Sequence, residues 1–69
     1  MMRFSVQLVR EADGRWIAEV PELSGVMVYG STAASAVAKV KALALRVVAG
    51  RLEHGEEGPD LTGVSFAAA

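Results

Sequence analysis

The chain has 69 residues, no cysteine, a formal charge of −1 and a hydrophobic content of 52%. That is one domain, residues 1–69, at the small end of what folds alone. No disulfide or thiolate zinc site staples it, and no basic footprint marks it for nucleic acid. So small an interior cannot hide so large an apolar fraction, which predicts a homo-oligomer (dimer or tetramer) or an obligate partner. Lys39, Lys41 and Arg46 interrupt the longest apolar run, so no membrane span is expected. The N-terminus goes straight into a strand pattern rather than a signal-peptide core. The expectation is a cytoplasmic protein.

In chain order, residues 3–10 alternate, with Phe4, Val6 and Leu8 on one side and Arg3, Ser5 and Gln7 on the other. This is a half-buried strand. Residues 15–20 alternate too, with Trp16, Ala18 and Val20 set against Arg15, Ile17 and Glu19. The Asp13-Gly14 pair invites a two-residue hairpin loop. That loop would place Leu8 opposite Glu19 and mix core with solvent positions. A three-residue loop over 12–14, with Gly14 left-handed in a G1 bulge, places Leu8 opposite Ala18 and Val6 opposite Val20. The same register sets Val9 beside Ile17 on the outer face, a small apolar patch with no helix to cover it.

Pro21 ends the second strand and Gly25 permits a tight turn. Residues 26–29 are a third strand, with Met27 and Tyr29 facing opposite to Val26 and Val28. Two apolar faces suit a strand covered on both sides, by a neighbour that the monomer does not supply. Trp16 points towards the helix and is expected in the core rather than at an interface. Val9, Ile17, Met27 and Tyr29, on the opposite face, make the better contact surface.

The longest element is a helix over 33–54. Ser31 or Thr32 serves as its N-cap, and Gly55 is a natural C′ residue. At 100° per residue, Ala36, Val37, Val40, Leu43, Ala44, Val47 and Val48 form one broad apolar face. Ser35, Lys39, Arg46 and Glu53 form a narrow polar stripe. On one flank between them lie Ala38, Ala42, Leu45, Ala49 and Leu52. Alanines alone would be explained by helix propensity. Leu45 and Leu52, two turns apart, point instead to a second packing partner. Gly50 costs about 1 kcal/mol relative to Ala, but Leu52 stays in phase with Leu45, so the helix is expected to continue through it. Residues 56–61 form a loop and 62–67 a last strand, with Val64 and Phe66 on one face. Residues 67–69 are expected to fray.

The resulting class is α+β, in the order β-β-β-α-β. A three-stranded antiparallel meander carries one long helix on one face, and a fourth strand joins the sheet at an edge.

The spacing Asp13-Gly14-x-Trp16-x-Ala18-x-x-Pro21-Glu22-Leu23-x-Gly25, then Gly30-x-Thr32, then an Ala-rich helix, resembles the HicB family of antitoxins over roughly the whole chain. The resemblance implies a partial RNase H-like fold and a protein that binds and masks a small HicA-type RNA-cleaving toxin. Three departures qualify it. No C-terminal DNA-binding domain follows, so operator binding is not carried over. Ser35 stands where a glutamate often occupies the first helical turn, which removes the capping box. Val26 stands where a cysteine is common. The resemblance thus implies a short, stand-alone member.

An RNase H-like nuclease needs several carboxylates converging on divalent ions. The first strand carries no acid over residues 4–9, Glu19 is a lone strand acid, and Glu11, Asp13 and Glu22 sit in turns. Glu56, Glu57 and Asp60 cluster in a loop, where acids are usually solvated. His54 has no serine or acid spaced to make a constellation with it, and suits a helix C-terminus. The serines lack a nucleophile-elbow context, and the first helical turn lacks a phosphate-binding loop. The expectation is no enzyme, no cofactor and no metal. It is a protein-interaction module whose partner-facing or self-facing candidates are Val9, Ile17, Met27, Tyr29, Leu45 and Leu52. The alternative is an orphan structural or small-ligand-binding domain of the same fold.

Overall fold

The computed structural model describes residues 2–55 and 63–68. Strand β1 (Met2–Arg10) turns back into β2 (Trp16–Glu19), then β3 (Met27–Gly30), helix α1 (Ala33–Glu53) and β4 (Val64–Ala68). The sheet order is β3-β2-β1-β4. β1–β2 and β2–β3 pair antiparallel, while β4 lies parallel to β1. Helix α1 therefore carries the chain from one edge of the sheet to the other across a single face. This is the expected α+β architecture.

The first hairpin takes the three-residue register, with Leu8 opposite Ala18 and Val9 opposite Ile17. The Gly14 N–H donates to Glu11 O at 3.0 Å, and Glu11 N–H donates to Arg15 O at 2.7 Å. Gly14 has φ +90°, a conformation that a Cβ would strain. Asp13 accepts from Arg15 N–H at 3.0 Å and from Arg15 Nε at 2.7 Å. These bonds, the backbone one first, hold its carboxyl below the usual carboxylate range.

Residues 21–25 do more than reverse the chain. Two successive turns, Leu23 N–H to Val20 O and Val26 N–H to Leu23 O, fold Leu23 inward until only 3% of it is exposed. Glu22 then points outward over β1. Because β2 ends at Glu19, Ser5 has no strand partner on that side. The Glu22 carboxylate takes its place, accepting from Ser5 N–H at 3.0 Å and from Ser5 Oγ at 2.7 Å. The hydroxyl bond first, then the amide, lowers the Glu22 pKa from the ordinary 4.5. A carboxylate depressed on folding contributes stability above its unfolded pKa, and that contribution is lost as pH falls through the folded value. Glu22→Gln is accordingly expected to flatten the acid limb of a urea-midpoint-against-pH curve. An unchanged limb would show that the contact contributes nothing in solution.

The core is Phe4 and Val6 from β1, Ala18 and Val20 at β2, Leu23 and Val26 from the turn, and Ala36, Val40, Ala44 and Val48 from α1. The four helical residues recur every fourth position, one ridge that lies over the sheet. Alternating Ala with Val along that ridge lets the helix approach closely. At the end of β3 the approach is tight. A Cβ on Gly30 would fall 2.5 Å from Ala36 N and 2.8 Å from Ala36 Cα.

Thr32, rather than Ser31, is the N-cap, its Oγ1 accepting from Ser35 N–H at 3.0 Å. Gly50 lies within the helix as expected. At the far end His54 Nδ1 donates to Gly50 O at 2.7 Å, and Gly55 follows in the left-handed region. His54 is thus a capping residue of the last turn.

Two expectations are corrected, for Leu8 and for Ala67 and Ala68. Leu8 faces the helix side but is 38% exposed, because α1 lies mainly across β2 and β3 and β4 ends opposite Val6. Val37, Leu43 and Val47, at the margins of the ridge, pack partly buried against the core, as the broad apolar face of the helix anticipated. Ala67 and Ala68 do not fray: they pair with Ser5 and Val6 in the parallel ladder, which ties down what a terminal position alone would leave loose. The expected loop at 56–61 and the acids Glu56, Glu57 and Asp60 lie outside the described residues.

Candidate interaction surfaces

The six residues singled out from the sequence fall on two surfaces on opposite sides of the two-layer structure. Val9, Ile17 and Tyr29 stand side by side across β1, β2 and β3, one register row on the face away from the helix. Met27 extends the row along β3, opposite Glu19. Val9, Met27 and Tyr29 are 58%, 50% and 44% exposed, and Ile17, in the middle strand, is half-buried by its neighbours. A sheet with one face packed should carry polar residues on the other. Here a contiguous apolar row runs across three strands instead.

Its border is built from the hairpin upward. Arg15, held by Asp13, lays its guanidinium over the Tyr29 ring at 4.4 Å, a cation–π contact. This restrains the Tyr29 ring and frames one end of the row with a planar cation. Trp16, next to Arg15, faces the other way as expected and packs against the core. Arg10 lies 5.9 Å over its ring.

The second surface is the outer flank of α1. Ala38, Ala42, Leu45, Ala49 and Leu52 are all exposed, Leu45 at 47% and Leu52 at 46%. The sheet does not cover this flank, as the sequence pattern anticipated.

A third feature was not anticipated. Leu8, Val37, Lys41 and Phe66 line an open groove of about 140 Å³ between α1 and the β1–β4 side of the sheet. Lys41 Nζ sits 5.7 Å over the Phe66 ring, and Phe66 stacks obliquely on Phe4 at 5.5 Å. The groove follows from where the helix crosses the sheet, which periodicity does not specify. Typical small-molecule pockets enclose about 300–1,000 Å³, so this one is too shallow for most organic ligands.

The buried set is wholly apolar among the described residues. Within the same residues no three His, Asp or Glu side chains are grouped so that they could hold a metal ion, and no helix is long and apolar enough to cross a membrane. Comparison with models of protein families, with curated proteins and with solved structures gives no match.

Proposed function

We propose that the chain is a HicB-like antitoxin, or an antitoxin-related protein-interaction module. It would bind and mask a small HicA-type RNA-cleaving toxin in the cytoplasm, and assemble as a homo-oligomer. The observation that carries the reading is the uncovered row Val9–Ile17–Tyr29 with Met27 beside it. Apolar side chains ranked across a rigid sheet, with a framed aromatic at one end, are the makings of a protein-binding patch. Supporting it is the residue spacing that resembles the family. Four residues of that spacing have a physical task here: Gly14 in the bulge, Leu23 in the core, Gly30 under the helix and Thr32 at the cap.

On this reading the protein acts by occlusion and performs no chemistry of its own. Ile17 is the pivot, since it is central to the row and flanked on both sides. Co-expression with the product of the adjacent open reading frame, followed by size exclusion with mass determination, tests the reading. A stable complex with a small basic protein is the expected result. Ile17→Asp is expected to abolish that complex while the circular dichroism of the chain is unchanged. A partner held equally well by Ile17→Asp would remove the sheet face from the proposal.

A further inference from the structure

The function proposed above calls for self-association, and the next step rests on that part of it. The exposed flank of α1 is spaced for one particular arrangement. From Ala38 to Ala42, Leu45, Ala49 and Leu52 the intervals are four, three, four and three residues. That is the rhythm of a coiled-coil seam. At 100° per residue the seam centres about 140° round the helix from the core ridge, so a second helix can lie along it clear of the sheet.

We propose that a second copy of this chain docks here, with the two α1 helices antiparallel and a two-fold axis close to residue 47. In that register Ala42 faces the partner's Leu52, and Leu45 faces the partner's Ala49. Symmetry repeats both layers, so four consecutive layers each set one leucine against one alanine. A large side chain always meets a small one, which brings the helices close without a gap.

The flanking charges choose the same register. Lys39 comes opposite the partner's Glu53 and, by symmetry, the pair occurs twice. Arg46 meets the partner's Arg46 at the axis, where both side chains extend into solvent. A parallel pairing does worse. It stacks Leu on Leu and Ala on Ala, sets Lys41 beside the partner's Arg46 twice, and forms no opposite-charge pair.

The contact spans the ten-residue rise from Ala42 to Leu52, about 15 Å. So short a seam buries less than a standard interface, so the dimer is a weak one, populated only at high protein concentration. It leaves the outer face of the sheet free. One molecule thus presents two separate contacts: the helix for its copy and the sheet for its partner.

Because the chain contains no cysteine, introduced thiols report without background. Leu45→Cys combined with Ala49→Cys is expected to form a covalent dimer under mild oxidation at about 100 μM protein, whereas neither single variant does. Efficient cross-linking of Leu45→Cys alone would establish a parallel pairing and overturn the assignment, and no cross-linking in any variant would remove the seam. Sedimentation of the unmodified chain separates this from the broader reading. A parent that stays monomeric at high concentration defeats self-association itself. A parent dimer that survives Leu45→Asp but not Ile17→Asp defeats only the helix seam. Lys39→Glu is expected to weaken the dimer about tenfold, and adding Glu53→Lys to restore it.

Discussion

Gly30→Ala is expected to lower stability by about 3 kcal/mol, a fall in melting temperature of roughly 15 °C for a domain of this size. The reason lies in the connection from β3 to α1. Only Ser31 and Thr32 separate the strand from the helix, so the first turn of α1 must stand directly over the end of β3. An alanine Cβ at position 30 would lie 2.5 Å from Ala36 N and 2.9 Å from Ala36 Cβ. The obstacle is largely backbone, which no rotamer change can move. Either the helix lifts off the sheet, opening the ridge of Ala36 and Val40, or the strand pulls away from its pairing with Trp16. Gly50→Ala is the matched control. A Cβ there meets nothing within 4 Å, and the residue sits inside the helix, so the same substitution should stabilise by about 1 kcal/mol. Thermal unfolding of the two variants beside the parent decides the matter. Equal and small shifts would mean that the helix does not approach the sheet as closely as described.

That contrast also marks what a sequence can and cannot disclose. The helix limits were legible because capping is local: Thr32 caps three residues away, and His54 reaches back four. The hairpin register was legible because only one register keeps Leu8 with Ala18 and Val9 with Ile17. Gly30 was visible as punctuation, but its task depends on a contact with Ala36 that is set by how the helix is laid down. Lateral placement was illegible for the same reason. Alternation says which face Leu8 occupies, not whether the helix reaches that far along the sheet. The Glu22–Ser5 contact joins residues 17 apart in sequence, and it arises only because β2 stops short. The parallel pairing of Ala67 and Ala68 with β1 is likewise non-local, and small residues at a chain end give no sign of it.

The candidate surfaces were legible in a different sense. Counting apolar residues against a small interior indicated that some must remain outside, and those named are exposed or half-exposed. Composition carries no information on how they divide. It takes the topology to show that Ile17 and Leu45 lie on opposite sides of the molecule, and hence that two contacts can be made at once. The same topology explains why Trp16, a residue type common among interface anchors, packs partly buried against the core: it alternates with Ile17 along β2 and so faces the helix side of the sheet.

The turn over residues 21–25 supplies the second large effect. Leu23→Ala is expected to cost about 3 kcal/mol, within the 2–5 kcal/mol range for a leucine emptied from a packed core. A chain of 69 residues has a total stability of only about 3–10 kcal/mol, so this one truncation removes a large share. Three leucines make an internal scale with the chemistry held constant. Leu23 is 3% exposed, Leu8 is 38% and Leu52 is 46%. Leu8→Ala, at the rim of the groove beside Phe66, should cost about 1 kcal/mol, since part of its transfer free energy is already forfeited to water. Leu52→Ala should fall within about 0.5 kcal/mol of the parent when unfolding is measured at low protein concentration. Its effect should emerge only as concentration rises and the parent gains stability from dimerisation that the variant lacks. Denaturant midpoints for all three, taken at two concentrations a hundredfold apart, separate interior from interface. Should Leu23→Ala prove as mild as Leu52→Ala, the turn would be a surface loop rather than the closing wall of the core. The pairing of Glu22 with Ser5, which depends on that wall being in place, would then be lost with it.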